Sequence, residues 1–230
     1  MLSILLPVYN EEAGIKTTLA QCQKAKNTLI SQKIFKDVEI IVIDDASNDT
    51  TSLLLEEEEG IVVCRHKYNR GYGAALMSGL MQARGDTIAI LDADGTYDPS
   101  DLICLSASFF ETGADLVVGT RMLYASKMPL LRKAGNLFFA RLVSFATRQK
   151  ITDAASGMRM IKRVTLEALL PLPEDLSFAF TMSLKALRSS SFRVCEIPIR
   201  YTERKGISKL SIPRDGLIFL WRVLSIFKIQ

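Results

Sequence analysis

Asp92-Ala93-Asp94 puts two carboxylates on alternate residues at the end of an apolar run, residues 87–91. Two such groups can share one hard divalent cation, and a strand behind them would fix their position. Mg²⁺ and Mn²⁺ prefer oxygen ligands and keep open sites for substrate phosphates. The pair therefore points to an enzyme of phosphorylated metabolites, although Asp-x-Asp alone also occurs in turns. A second acidic pair, Asp44-Asp45, ends another apolar run. There a carboxylate can take ribose hydroxyls or a base N–H, or can cap a helix with Ser47 and Asp49. Tyr9 can stack beside a base or close the edge of a core. Asn69-Arg70-Gly71-Tyr72-Gly73 either brings backbone close to a substrate or makes an ordinary glycine turn.

Other phosphate-binding devices are missing. A Rossmann dinucleotide site needs a glycine fingerprint after the first strand, whereas here the first apolar run leads into Pro7-Val8-Tyr9-Asn10-Glu11-Glu12. Gly71-Tyr72-Gly73 precedes a helical pattern, but Leu76 stands at the last glycine position. No Walker A sequence occurs. An EF-hand loop fails because Gly95 comes too early and the terminal Glu is absent. Without a glycine cradle, a metal on Asp92 and Asp94 becomes the natural neutraliser of a phosphate. His66, the single histidine, follows a strand, has no Ser or Cys partner motif and reads as structural; no hydrolase triad assembles.

The elements that must position these groups follow from periodicity. Residues 3–8, 38–43, 61–65, 87–91 and 116–119 read as strands, several of them buried on both faces. Ile15, Leu19, Cys22, Leu29 and Ile30 keep helical spacing between the first two, with Glu11 and Glu12 favourable near the helix start. Residues 73–84 and 99–111 read as further helices, and Glu56 to Glu59 as a solvated helix end. Strand–helix alternation specifies a mostly parallel sheet covered on both faces, which binds ligands beyond the carboxyl ends of its strands. The polar clusters fall there: Tyr9-Asn10-Glu11, Asp44-Asp45, residues 69–73, residues 92–98 and Thr120-Arg121.

After about residue 125 the pattern changes. Residues 128–148 are basic and amphipathic, with Leu137, Phe138, Phe139, Leu142, Val143 and Phe145 as the apolar side. That segment suits a bilayer surface, with Phe138 and Phe139 toward acyl chains, or a helix packed on the sheet. Helices near 164–170 and 178–187 and a strand at 193–200 follow. Residues 217–227, interrupted only by Arg222 and Ser225, are too short to span a bilayer. They lie in the interface, pack in a core, or open a membrane region further on; Trp221 and Arg222 suit an interface.

Composition sets the bounds. At 230 residues the chain has ample length for a core, and 48% hydrophobic residues exclude a disordered chain. The formal charge of +4 is too mild for a nucleic-acid binder, and the basic residues instead crowd two segments, Arg132 to Lys150 and Arg200 to Arg214. Four separated cysteines without a Cys-x-x-Cys suggest buried thiols at Cys22, Cys64 and Cys195 in a reducing compartment. The opening residues have a strand pattern rather than that of a secretion signal.

Pro7-x-Tyr9-Asn10-Glu11, Asp44-Asp45-x-Ser47-x-Asp49-x-Thr51, Gly71-x-Gly73-x-Ala75, Asp92-x-Asp94-Gly95-Thr96-Tyr97 and Gly119-Thr120-Arg121 occur in this order. As an ordered set they resemble family 2 glycosyltransferases. Asp153-x-x-Ser156-Gly157-Met158-Arg159, Glu196-x-Pro198-Ile199 and Gly206-x-Ser208-Lys209-Leu210 narrow the resemblance to the polyprenyl-phosphate glycosyltransferases, similar to dolichol-phosphate mannose synthase. The resemblance covers nearly the whole chain. It implies an α/β fold of the GT-A type, a Rossmann-like mixed, mainly parallel sheet flanked by helices, with C-terminal amphipathic helices. The catalytic domain would span residues 1–212, with a nucleotide-sugar half at 1–122 and an acceptor half at 123–212, followed by an apolar helix at 213–230.

The implied activity is inverting, metal-dependent transfer of a sugar from a UDP- or GDP-linked donor to a polyprenyl phosphate, at the cytoplasmic face of a membrane. Pro7, Tyr9, Asn10, Glu11, Asp44, Asp45, Asn69, Gly71, Gly73 and Asp92 would line the nucleotide-sugar site. Asp92 and Asp94 would hold Mg²⁺ or Mn²⁺, and Arg121, Arg132, Ser156, Arg204 and Lys209 would meet the acceptor phosphate. Asp153, Asp94 and Arg121 would be catalytic, Asp153 matching the carboxylate usually suggested as base. A lipid phosphate is already anionic near pH 7, so Asp153 would orient rather than abstract. Two positions depart from the pattern: Thr96 stands where Gln or Ser is common, and Phe180-Thr181-Met182 where mannose synthases usually have Gln and Glu. Alternatives are a saccharide or protein hydroxyl acceptor, a nucleotidyltransferase, and a non-catalytic nucleotide-sugar-binding module at a membrane. A homo-oligomer is compatible with the sequence.

Overall fold

The computed structural model describes residues 1–122, 128–202 and 212–226. Seven strands, β1 (Leu2–Val8), β2 (Val38–Asp44), β3 (Val62–Arg65), β4 (Thr87–Ile90), β5 (Leu116–Thr120), β6 (Arg159–Lys162) and β7 (Val194–Pro198), form one sheet in the order β3-β2-β1-β4-β6-β5-β7. Only β6 runs antiparallel to its neighbours. Helices α1 (Ile15–Ser31), α2 (Thr51–Glu56), α3 (Tyr72–Gln82) and α4 (Asp101–Thr112) connect the first five strands. Helix α5 (Leu130–Thr147) leads to β6, α6 (Arg163–Ala168) and α7 (Phe178–Arg188) lead to β7, and α8 (Ile212–Ile226) follows it.

Period-two alternation distributes the strand side chains between two cores. Leu2, Ile4, Leu6, Ile40 and Val42 face α1 and α4, packing with Ile15, Leu19, Leu102 and Leu105. Leu5, Ile41 and Ile43 face the opposite way, against Ala75, Leu76 and Leu80 of α3 and Phe178 and Met182 of α7. A third cluster joins α5, α7 and α8 through Val143, Phe180, Leu184, Phe219 and Val223.

β1, β2, β4 and β5 are the strands buried on both faces, while β3 is a sheet edge whose Val62 and Val63 are 41% and 39% exposed. Two local expectations change. Glu11 and Glu12 precede α1 without entering its first turn, because residues 12–14 make a turn and Gly14 is the N-cap. The Glu12 carboxylate instead accepts from the Thr50 N–H and hydroxyl. β6 has no counterpart among the expected strands. Its four residues place two apolar side chains between an Arg and a Lys, too short a pattern to signal a central strand, and Arg159 is wholly buried. Its guanidinium donates to the carbonyls of Ala179 and Ser156. Insertion of β6 between β4 and β5 builds the second half of the chain into the sheet begun by the first.

Of the thiols, Cys22 is buried, Cys64 and Cys195 are half-buried and Cys104 is exposed. Among the described residues no helix is long and apolar enough to cross a membrane.

Candidate active site

The carboxyl ends of β1, β2, β4 and β5 open into one cavity of about 430 Å³. Pro7, Tyr9, Glu11, Asp45, Asn69 and Gly71 line it beside Asp92 and Asp94, together with Arg121 and Arg132. Ten expected site residues thus meet in one space.

Asp45 follows β2 and its N–H donates to the Val8 carbonyl, a bond that continues the β1–β2 ladder. Its carboxylate accepts from the N–H groups of Arg70 and Gly71, each at 2.8 Å. Gly71 has φ +97, a conformation that suits glycine, so the turn can bring its N–H to that carboxylate. Asp44 faces away, as the neighbouring residue on an extended chain must. Fully buried, it accepts from the Ser47 N–H, the Ser52 hydroxyl and Arg65 Nε. Asp44 therefore ties β2 to α2 and β3 without capping α2, and lies outside the cavity lining.

Asn10 also lies outside the cavity lining: its amide exchanges two hydrogen bonds with Asn48, and the loop after β1 is thereby locked to the loop after β2. Gly73 donates to the Glu174 carbonyl and packs so closely on the Pro173-Glu174 backbone that a Cβ would collide there. Ser156 is fully buried, its hydroxyl accepting from the Met158 N–H. None of the three lines the cavity. Arg204 and Lys209 lie outside the described residues.

Asp92 is held from two sides. The Tyr72 hydroxyl donates to its Oδ1 at 2.8 Å, and Gly157 packs against its carboxylate, where a Cβ would overlap the oxygens. Burial first, and the charge of Asp94 second, push the Asp92 carboxyl up to about 6. Asp94 Oδ1 accepts from both the N–H and the hydroxyl of Thr96, a short turn that aims the side chain. Two half-buried carboxylates that repel each other fit a divalent cation, which would relieve both burdens. No cluster of three or more His, Cys, Asp or Glu side chains suited to a metal occurs among the described residues. The remaining coordination would fall to other oxygens, substrate phosphate included.

Arg121 follows β5 and forms a bidentate pair with Asp153: Nε to Oδ2 at 2.6 Å and Nη2 to Oδ1 at 2.8 Å. The Arg121 N–H adds a third bond, and Asn136 Nδ2 of α5 a fourth at 2.8 Å. Burial alone would raise the Asp153 carboxyl, but the charge and hydrogen bonds of Arg121 outweigh it and hold the group below its ordinary value. Asp153 is wholly buried behind Arg121 and does not line the cavity. An ionised carboxylate so engaged is a poor base and a good anchor for a guanidinium. Glu196 secures the anchor in turn, accepting from the N–H groups of Thr152 and Asp153.

Several contributors carry little local signal. Tyr97, inside the Asp92 block, accepts from the Gly157 N–H at 2.7 Å and from Arg121 Nη1 at 3.2 Å, which links the acidic and basic walls. Tyr201 lies 5.3 Å beneath the Arg121 guanidinium. Asn136 sits on an amphipathic helix, where no pattern marks it. Phe180 and Phe219, stacked 4.6 Å apart, close the cavity with Leu176 and Ala179.

Residues 3–170 match the family Glycosyl transferase family 2. The chain is 32% identical over 226 residues to a low-salt glycan biosynthesis hexosyltransferase of Haloferax volcanii, covering 96% of this chain and 51% of that protein. It therefore spans about half the length of that relative. A dolichyl-phosphate hexose transferase of the same organism is 28% identical, with 91% of this chain and 86% of that one covered. Among solved structures, glucosyl-3-phosphoglycerate synthase of Mycobacterium tuberculosis, in complex with Mn²⁺, UDP and phosphoglyceric acid, superposes with a TM-score of 0.76 at 19% identity. That superposition covers 98% of this chain and 78% of that one, and it establishes the shared fold. The ordered motifs, the sheet they build and the length of the match agree: the chain belongs to glycosyl transferase family 2.

Proposed function

We propose that this protein transfers a sugar from a UDP- or GDP-linked donor to a polyprenyl phosphate. One observation carries the reading: a single cavity joins a carboxylate wall (Asp45, Asp92 and Asp94) to an arginine wall (Arg121 and Arg132). The first wall suits a nucleoside diphosphate with a cation, the second an anionic acceptor. The similarity to a dolichyl-phosphate hexose transferase over most of both chains supports it.

The acceptor phosphate oxygen attacks the anomeric carbon while the bond from that carbon to the donor's β-phosphate oxygen breaks. The electron pair leaves on the nucleoside diphosphate, and the configuration inverts. Asp92 and Asp94 would hold Mg²⁺ or Mn²⁺, which supplies charge neutralisation on the diphosphate. Pro7, Tyr9, Glu11, Asp45 and Asn69 seat the nucleoside. Arg121 and Arg132 orient the acceptor phosphate and offset charge as it redistributes. Asp153 acts through Arg121 and takes no proton, which an ionised phosphate does not require.

The same reading places α5 and α8 on a bilayer surface. The outward face of α5 carries Leu131 (68% exposed), Phe138 (57%) and Phe145 (79%), seven residues apart and so on one stripe. Leu217, Trp221 and Leu224 do the same on α8, which packs against α5. Arg141, Arg148 and Lys150 are exposed nearby in sequence, as anionic headgroups would require. The apolar side of α5 thus divides in two: Phe138 points out, whereas Phe139 packs inward on Phe180 and Phe219.

A panel of UDP- and GDP-sugars with Mg²⁺ or Mn²⁺ and a short polyprenyl phosphate tests the proposal. The expected product is a sugar–phosphate–lipid of inverted configuration from one donor. Transfer to a saccharide or peptide hydroxyl, with none to the lipid phosphate, would overturn the acceptor assignment.

A further inference from the structure

The single histidine, set apart by the sequence as structural, lies at the nucleotide end of the cavity in contact with a residue that lines it. His66 Nδ1 is 2.6 Å from Asp45 Oδ1, and His66 Nε2 is 2.8 Å from the Ser78 hydroxyl. The His66 and Asp45 side chains are only 7% and 5% exposed. We propose that His66 is a positioning residue for the donor nucleoside, holding Asp45 in the one orientation that leaves an acceptor direction open to the cavity. The inference rests on the reading of this cavity as a nucleotide-sugar site.

The geometry supports it atom by atom. An ionised carboxylate offers about four lone-pair directions. Asp45 Oδ1 receives both His66 Nδ1 and the Arg70 N–H, and Oδ2 receives the Gly71 N–H. Among the described residues one direction on Oδ2 is left. A carboxylate only accepts, so the proton between the two side chains sits on Nδ1. Nε2 meets the Ser78 hydroxyl at its other edge, so both ring nitrogens are engaged and the two partners fix the ring's orientation. The His66 N–H donates to the Asp44 carbonyl at 2.9 Å, which registers the ring against the end of β2.

Ser78, His66 and Asp45 thereby line up as in a hydrolase triad, but with the functional end reversed. Ser78 lies within α3, and neither it nor His66 is part of the cavity wall, whereas Asp45 is. Acyl-transfer chemistry has no access to the hydroxyl from this cavity. What the arrangement does is brace the carboxylate. Without the imidazole, Asp45 loses the donor at 2.6 Å and can turn about its side-chain torsions, and the nucleoside meets a less organised acceptor.

The test compares UDP and GDP binding, in the presence of Mn²⁺, across wild type, H66A, H66N, H66Q and D45N by calorimetry. The Asn side-chain N–H can stand where Nδ1–H stood, whereas Gln reaches toward the position of Nε2. H66A and H66Q are expected to bind the preferred nucleotide about tenfold more weakly, the scale of one lost hydrogen bond to a charged group. H66N is expected to stay within about threefold of wild type. In steady state the KM for the donor rises while kcat and the KM for the acceptor hold, a split that general destabilisation would not give. Should H66A fail to fold, the contrast between H66N and H66Q decides. Wild-type affinity in H66A or H66Q overturns the proposal alone, provided D45N is weakened, as does an H66N that is folded yet as weak as H66Q. Wild-type protein that binds neither nucleotide overturns both this proposal and the donor-site reading beneath it.

Discussion

Asn136 Nδ2 lies 2.8 Å from Asp153 Oδ1, so the helix that turns Phe138 and Phe145 outward also grips the carboxylate that anchors Arg121. Replacing Asn136 by Ala removes one donor from a wholly buried carboxylate, at a cost of about 1–3 kcal/mol. We expect that loss in urea unfolding, together with a lower kcat at an unchanged donor KM. Unaltered stability and rate would show that Arg121 alone holds Asp153.

Gly157 gives a sharper test of the acidic pair. A methyl group there would overlap the Asp92 carboxylate, which is already fixed by Tyr72. G157A should remain folded by circular dichroism and bind Mn²⁺ at least about tenfold more weakly, because misplaced ligands forfeit much of a metal's affinity. Full Mn²⁺ affinity in G157A would mean that Asp92 is no ligand.

Acid should destabilise the fold through Asp44, Asp115 and Asp153. For each, burial would raise the carboxyl, but hydrogen bonds and cationic neighbours prevail and lower it. A carboxyl whose folded value lies below its unfolded value of about 3.9 stabilises the fold above that pH and loses the contribution as pH falls through the folded value. Urea midpoints should therefore drop steadily below about pH 4. D44N should be less stable at pH 7 and show a shallower acid dependence. An equal slope in D44N would remove Asp44 from this account.

The outward faces of α5 and α8 make a prediction at the membrane. Vesicles containing anionic lipid should carry the protein upward in flotation, and F138S/F145S/W221S should leave it at the bottom. Each lost aromatic removes apolar area worth about 1.5–3 kcal/mol when buried. Because these side chains are exposed, the variant should keep its thermal stability. Flotation equal to wild type would discard this surface.

Much of the frame was legible in the chain because it is written in local pattern. Apolar runs of strand length, separated by helical periodicity, specify a covered parallel sheet, and the polar clusters behind each run mark its carboxyl end. Asp92 and Asp94 could be singled out this way. β6 could not, since four residues flanked by charges carry no periodic signal, and their place between β4 and β5 depends on pairings with distant strands.

Adjacent residues show the limit most plainly. Asp44 and Asp45 are chemically identical in sequence, yet one is tied to Ser52 and Arg65 while the other faces the cavity. Strand register decides which, and register is a property of the sheet. Asp153 has the residue type of a base, but only the approach of Arg121 and Asn136 makes it a buried anchor. His66 had no partner within reach of any motif until the fold laid α3 beside β3 and brought Ser78 and Asp45 to its two nitrogens. Residue types and their spacing determined that the protein has a carboxylate pair at strand ends and basic segments beyond. Only tertiary packing decided which carboxylates face the cavity, because a side chain's chemistry depends on the donors and charges that meet it, and distant segments supply them.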